Sequence, residues 1–331
     1  RTYPDRMGRR VALALGAGGA RGYAHIGALQ VIEERGHEVV AIAGTSMGAL
    51  VGGLAAAGKL DAYTEWVTGL TQRDVWRLLD MNLGGGGAIR AERIFGKVGE
   101  ILEGALIEEC SVPFTAVATD LNHRREVWFQ RGPVATAVRA SVAIPSLVTP
   151  IVVDGRLLVD GGLMNPVPIE PTAAVRSDLT VAVSLQAGHS TGMPVAPVRS
   201  GGMGTTVAGS VRSLTHRVSA LIGGGAHDVA DAPEHAVEDV EPVPGAAGSP
   251  AVSTAPGYAP APRELASTEI FNRSFDTMAA LITRYRMASN PPDVLVSVPS
   301  DACRTMDFHR ANEMIALGRE LTERAFDEAG C

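Results

Sequence analysis

Short apolar runs alternate along this chain with stretches in which apolar residues return every three or four positions, the signature of strands followed by helices. Val11-Ala12-Leu13-Ala14-Leu15 and Val39-Val40-Ala41-Ile42-Ala43 carry no charge and have the length of buried strands, and each leads through a turn into a helix-like run, residues 23–35 and 49–57. Helical spacing continues over residues 60–79 and 90–103, on either side of the loop Gly84-Gly85-Gly86-Gly87. Further strands are expected at 113–119 and 126–129, then a short helix at 134–141 before a turn around Pro145. Ile151-Val152-Val153, Asp154-Gly155 and the run 156–159 read as a tight hairpin, because Asp-Gly favours the turn that matches strand twist. The hairpin delivers Asp160-Gly161-Gly162 to a strand end, and 179–185 is the next strand.

From residue 188 to 262 the composition turns to Gly, Ala, Pro and Ser, with an acidic patch at Asp228, Asp231, Glu234, Glu238, Asp239 and Glu241. Residues 226–262 are expected to be disordered, and residues 201–225, with Val207, Val211, Leu214, Val218 and Leu221, to form a lid helix. Regular structure returns as a helix at 267–287, a strand at 293–298 and a helix at 308–328 with Ile315 and Leu317 on one side. The expected organisation is a tail (1–10), a catalytic core (11–187), the insert (188–262) and a helix-strand-helix end (263–331) that completes the core.

Residues 39–57 are uncharged for nineteen positions, long enough to raise a membrane span, but Gly44, Thr45, Ser46, Gly48, Gly52 and Gly53 interrupt the run and favour a buried strand and helix. The 331 residues, 46% of them hydrophobic, suffice for one large α/β domain or two smaller ones. The net charge of −7 and the scattered basic residues argue against nucleic acid, leaving Arg1, Arg6, Arg9 and Arg10 as a solvated tail. Cys110, Cys303 and Cys331 are odd in number and far apart, which suggests a reducing compartment. No secretory apolar region precedes Val11, and a cytoplasmic location is expected.

Gly44-Thr45-Ser46-Met47-Gly48 lies between an expected strand and an expected helix, the context of a nucleophile elbow in which a sharp turn lifts a serine hydroxyl above the sheet. The glycine-rich Gly16-Ala17-Gly18-Gly19-Ala20-Arg21-Gly22 misses the dinucleotide fingerprint by one residue in either frame. A phosphate-loop frame through Gly53, Gly58 and Lys59 has Leu60 where a hydroxyl must hold magnesium. The remaining reading is an oxyanion loop, whose N–H groups at Gly18 and Gly19 face a developing negative charge.

A serine needs a base. His25 belongs to the first helix, His37 and His123 to loops, and His189, His216, His227 and His235 to the insert or its flank; His309 alone is late enough for the order serine, acid, histidine. Asp160 at a strand end is the stronger candidate, although Asp-Gly-Gly is also an ordinary turn. His37-Glu38-Val39-Val40-Ala41 starts like a zinc helix but lacks the second histidine, no calcium-loop string is present, and no metal or other cofactor is expected.

In order and spacing, the glycine loop, the Ser46 elbow and Asp160-Gly161-Gly162 resemble the patatin-like phospholipases, in particular the bacterial branch similar to neuropathy target esterase. The likeness runs through His25-Ile26-Gly27, Ala118-Thr119-Asp120-Leu121, Arg139-Ala140-Ser141-Val142-Ala143-Ile144-Pro145 and Asn165-Pro166-Val167-Pro168, over about residues 10–186, and more weakly through 273–292 and 307–318. The resemblance implies a three-layer α/β/α fold around a central, mostly parallel sheet, and hydrolysis of lipid acyl esters by a Ser-Asp dyad without histidine. It assigns Ser46 as nucleophile, Asp160 as base, the N–H groups around Gly18 and Gly19 as oxyanion hole and Arg21 as a brace for that loop, with Gly16, Gly22, Gly44, Gly48, Gly161 and Gly162 supporting the motifs. Ala17 and Ser146 stand where the family commonly has glycine. The substrate class implied is a phospholipid or other lipid ester met in transient contact with a membrane surface. A non-catalytic lipid-binding or regulatory module on the same fold is the competing reading.

Overall fold

The computed structural model describes residues 8–79, 92–145, 147–188 and 267–331, all within one compact unit. The chain order is β1 (Arg10–Leu15), α1 (Ala24–Glu34), β2 (Glu38–Thr45), α2 (Met47–Ala56), α3 (Leu60–Thr68), α4 (Gln72–Leu78), α5 (Glu92–Leu102), β3 (Phe114–Asp120), β4 (Arg125–Phe129), α6 (Val134–Ser141), β5 (Ile151–Val153), β6 (Arg156–Asp160), β7 (Leu179–Ala187), α7 (Ser267–Ser289), β8 (Val294–Pro299) and α8 (Ala311–Glu328). The strands form one mixed sheet in the order β5-β6-β3-β2-β1-β7-β8, with β4 also paired to β3. Its centre is parallel, and the β3-β4 and β5-β6 hairpins are antiparallel.

Alternation along the central strands gives the two faces different partners. Val11, Leu13 and Leu15 of β1, with Val181, Val183 and Leu185 of β7, pack into a large core with α1, α2, α6 and α8. The small residues between them, Ala14 and Ala182, face Val167, Ile169 and Met287, so the segment after Asp160 and the end of α7 lie close on the opposite face. The fold is the expected three-layer α/β/α arrangement.

One detail of strand pairing sets up the site. Ala116 and Val117 pair with both β2 and β4, and Ala118 to Asp120 pair with both β4 and β6. Since a strand has two edges, β2 and β6 share one edge of β3 and meet end to end there. Thr45, the last residue of β2, is opposite Val117, and Asp160, the last of β6, is opposite the next residue, Ala118.

Several expected elements differ in detail. Residues 60–79 are two helices: the first ends at Thr68 with Gly69 as its C-cap, and Thr71 caps the second, its side chain accepting from the Asp74 N–H while the Asp74 carboxylate accepts from the Thr71 N–H. The glycine loop winds into a 3-10 turn, Gly19–Tyr23, so helical structure begins four residues ahead of the expected start at residue 23. Arg9 and Arg10 are no tail: Arg10 opens β1 and its N–H donates to Asp178, while the Arg9 N–H donates to His37. The buried stripe of α8 is Ala311, Met314, Gly318, Thr322 and Phe326, with Ile315 and Leu317 on its flanks, because Gly318 lets α8 approach α1 at Ala24 and so chooses the inward face. Residues 39–57 are a strand and a helix, and among the described residues no helix is long and apolar enough to cross a membrane. All three cysteines are free. The Gly84 to Gly87 loop, Ser146, the expected lid and the expected disordered segment lie outside the described residues.

Candidate active site

Ser46 sits between β2 and α2 with φ 57° and ψ −122°, a left-handed conformation that costs a non-glycine residue about 1–3 kcal/mol. Its surroundings hold it there. The Ser46 N–H donates to Ser141 Oγ at 2.9 Å, and Ser141 Oγ donates to the Val117 carbonyl at 2.6 Å, so α6 and β3 brace the turn. Gly48 lets α2 lie against β1, since a Cβ there would stand 2.0 Å from the Leu15 carbonyl oxygen; a Cβ on Gly44 would stand 2.3 Å from the Gly48 carbonyl oxygen. Both elbow glycines are therefore demanded by strand-to-helix approach, while the strained φ falls on the serine itself.

Asp160 is buried beside Ser46, as the shared edge of β3 requires. Its Oδ1 accepts from the Gly162 N–H at 2.7 Å, and its own N–H donates to the Ala143 carbonyl. Burial pushes the carboxyl up to about 6, against the opposing pull of hydrogen bonds from the Ser46 side chain and the Gly162 N–H. A carboxylate of this pKa is a stronger base than an exposed one and is still ionised at neutral pH. Gly161 is as constrained as the elbow glycines: a Cβ would meet the Val117 carbonyl at 2.2 Å.

The glycine loop lies above the end of β1. The N–H groups of Gly16, Ala17 and Ala20 donate to the carbonyls of Val183, Pro166 and Thr305. Those of Gly18 and Gly19 stand at the start of the 3-10 turn, which has no side-chain cap. Arg21, itself buried, donates from Nε to the Gly18 carbonyl at 3.2 Å and from Nη1 to the Ser300 carbonyl. Because a trans peptide sets C=O and N–H in opposite directions, holding the Gly18 oxygen aims the Gly19 N–H away from Arg21. Gly19 has φ +57°, and a Cβ there would strike Thr305 at 2.5 Å.

His25, the histidine of the same segment, is fully buried and its Nε2 bonds the Gly16 carbonyl at 2.8 Å. Burial lowers its pKa to about 4, so it stays neutral and works as a peg for the loop. His309 lies in the 3-10 turn Phe308–Arg310 and is not among the residues that line the cavity described next, whereas its neighbour Phe308 is.

Beside Ser46 opens a cavity of about 90 Å³. Its walls are almost wholly apolar: Met47 and Leu50 of α2, Trp66 of α3, Val75 and Leu78 of α4, Ile94 and Phe95 of α5, Leu147 and Val148, and Met306 and Phe308 ahead of α8. Gly19 and Ser46 border it as well, so the glycine loop and the serine both open onto one apolar chamber. Tyr23 and Tyr63 also face it, joined by a side-chain hydrogen bond, and burial raises both their pKa values so that the pair is neutral.

The patatin-like phospholipase family model matches residues 13–173, the span from β1 to the segment after Asp160. An uncharacterised NTE family protein of Mycobacterium bovis, Mb1092c, is 43% identical over 96% of this chain and 91% of its own length. This chain belongs to the patatin-like phospholipase family, in its NTE branch. Within that family, the lysophospholipase NTE1 of Cryptococcus neoformans is 34% identical over 50% of the chain and 10% of its own length. The patatin-like phospholipase domain-containing protein ZK370.4 of Caenorhabditis elegans is 33% identical over 49% of the chain and 12% of its own length. A solved structure, VipD from Legionella pneumophila, aligns over 97% of this chain and 67% of its own with 14% identity and a TM-score of 0.42, too distant to argue from.

In this patatin-like chain, the residues singled out in the sequence gather at one place: Ser46, Asp160, Gly18, Gly19 and Arg21, with Gly16, Gly22, Gly44, Gly48, Gly161 and Gly162 as close-approach positions around them. Ala17 keeps its Cβ beside Gly162, where a Cβ would be 3.2 Å away, so the extra methyl of this departure is accommodated by a glycine. Sequence reasoning missed Ser141, Asn165 and the cavity walls. The first two lie in the quoted motifs around Ala140 and Pro166, and their partners are backbone groups of β3 and the side chain of Thr45.

Proposed function

We propose that this chain is a serine acyl hydrolase of lipid esters, of phospholipase A or lysophospholipase type, working through a Ser46-Asp160 dyad. The observation that carries the reading is a serine that borders an apolar chamber, held in a strained turn beside a buried, base-strength carboxylate. A structural turn gains nothing from such strain, whereas a nucleophile gains a fixed, exposed approach to a carbonyl.

In this mechanism the acyl chain lies in the cavity and the ester carbonyl sits over Ser46. Asp160 takes the hydroxyl proton as Ser46 Oγ attacks the carbonyl carbon, and the oxyanion is met by the N–H groups of Gly18 and Gly19. Asp160 returns the proton to the departing alcohol oxygen, leaving an acyl-serine. Water then gives its proton to Asp160, attacks the acyl-serine and releases the fatty acid, and the proton goes back to Ser46. Arg21 and His25 hold the loop from behind and take no part in proton transfer. The lipid is met by transient contact with a membrane surface.

Labelling with a fluorophosphonate tests this, comparing the native chain with Ser46→Ala and Asp160→Asn and mapping the adduct by mass spectrometry. An adduct on Ser46 that is absent from Ser46→Ala and strongly slowed in Asp160→Asn is the expected result. A folded native chain that takes no label would replace this reading with a lipid-binding module.

A further inference from the structure

The cluster that ties α7 to the site does no chemistry in the mechanism above, and it reaches the neighbours of both reacting residues through a single residue, Asn165. Arg286 of α7 donates from Nε to the Met164 carbonyl at 2.9 Å and from Nη1 to Glu170 at 2.8 Å, and its Nη2 pairs with Glu126 of β4. The two carboxylates also accept from Asn165 Nδ2, at 3.0 Å from Glu126 and 3.3 Å from Glu170. Asn165 is fully buried. Its amide orientation follows from its partners, since two ionised carboxylates accept hydrogen bonds and cannot donate them.

From Asn165 the connection runs both ways along the chain. Its carbonyl accepts from Thr45 Oγ1 at 2.8 Å, the residue directly before Ser46. Its N–H donates to the Gly161 carbonyl at 2.8 Å, the residue directly after Asp160. Thr45 and Gly161 are thus held by one residue, which is held by Glu126, Glu170 and Arg286. The same helix meets the glycine loop, with Asp276 at 4.0 Å from Arg21, and Phe275 packs by Gly162.

We infer that Arg286 is a positioning residue for the dyad: through Asn165 it sets the distance and angle between Ser46 Oγ and the Asp160 carboxylate. The inference rests on the proposed roles of Ser46 and Asp160. Its physical basis is that Asn165 holds the residue before Ser46 and the residue after Asp160 at once, complementing the contacts by which Ser141 and Ala143 hold the N–H groups of Ser46 and Asp160 themselves. Where β2 and β6 meet end to end on β3, the ladder gives no hydrogen bond between them, so the gap is spanned by side chains and turn backbone alone.

The test is the rate and the end point of fluorophosphonate labelling at Ser46, with kcat and KM on a soluble short-chain ester, for the native chain, Arg286→Met, Arg286→Lys and Arg319→Met. Arg319 of α8 pairs with Glu34 of α1, outside the cluster around Asn165, and serves as the control for loss of an ion pair. In Arg286→Met the folded chains still label to completion at Ser46, about 10- to 100-fold more slowly, and kcat falls by a similar factor while KM stays within about twofold, as for a sub-ångström misplacement of reacting groups. Arg286→Lys recovers part of the rate, and Arg319→Met matches the native chain. A native labelling rate in Arg286→Met, a loss confined to the fraction labelled, or a change in KM alone would overturn the assignment. If Arg286→Met does not fold, Glu170→Gln is read the same way, with a slowing of threefold or more expected and an unchanged rate decisive against it. Absence of Ser46 labelling in the native chain removes the proposed function and this assignment together; native labelling with an indifferent Arg286→Met removes the assignment alone.

Discussion

His25 and Asp160 are bonded to glycine backbone on two sides of the same site, and burial moves them in opposite directions. His25, on the Gly16 carbonyl, falls from 6.5 to about 4, and Asp160, on the Gly162 N–H, rises from 3.8 to about 6. Each prefers to be neutral in the fold. The signs differ when pH falls: protonating Asp160 between pH 6 and 4 favours the folded state, and protonating His25 between pH 6.5 and 4 favours the unfolded state.

Each shift is worth about 3 kcal/mol in full, so the two contributions offset one another in the native chain between about pH 6.5 and 4. In Asp160→Asn only that of His25 remains. Urea unfolding should find Asp160→Asn about 3 kcal/mol more stable than the native chain at pH 7.5, with the difference shrinking towards zero by pH 4. An advantage that does not change with pH would mean Asp160 is not the titrating group. Catalysis should follow the ionised carboxylate, rising through about pH 6 in the free enzyme.

Ser46 bears a backbone conformation that glycine adopts freely. Ser46→Gly should be more stable than Ser46→Ala by about 1 kcal/mol, although both lose turnover. Chemical denaturation of the two variants side by side checks this. Equal stabilities would show that the turn carries no strain.

Gly48 and Gly96 separate the two uses of glycine in helices. At Gly48 a Cβ would overlap the Leu15 carbonyl at 2.0 Å, and backbone cannot step aside as a side-chain tip can. Gly48→Ala should cost about 3 kcal/mol or more, in the range of severe core overpacking. Gly96 of α5 is exposed, with open space where the Cβ would go, and Gly96→Ala should stabilise by about 0.5–1 kcal/mol through helix propensity. Thermal unfolding of both variants decides.

Val75 of α4 is buried in the wall of the cavity that Ser46 and Gly19 also border. Val75→Phe should take space from the chamber and lower kcat/KM for long acyl esters by about tenfold or more, while short-chain esters react as before. A series of p-nitrophenyl esters of increasing chain length measures it. A uniform fall at every length would place the acyl chain outside this cavity.

What could be read without the fold is local. The apolar runs at Val11 and Val39 became β1 and β2, and the Asp154-Gly155 hairpin was legible because its turn needs two positive φ values, which the structure has at 48° and 72°. The elbow was legible as a pattern because Gly44 and Gly48 flank Ser46 within one turn, although the contact that demands Gly48, with Leu15 of β1, is long-range. The break at Thr71 was equally local, but apolar periodicity on both sides of it concealed a capping pair that depends on single side chains.

By itself the sequence determined which segments are strands or helices and which short stretches bend tightly, since those preferences arise between residues close in the chain. Only the tertiary structure decided that Ser46 meets Asp160, because that contact follows from two strands ending in adjacent register on one edge of β3. It alone decided that Glu126, Glu170 and Arg286 converge on Asn165, that His25 is a neutral peg, and that α3, α4 and α5 enclose an apolar chamber. Burial and long-range register act on groups far apart in the chain, and no neighbouring residue carries their mark.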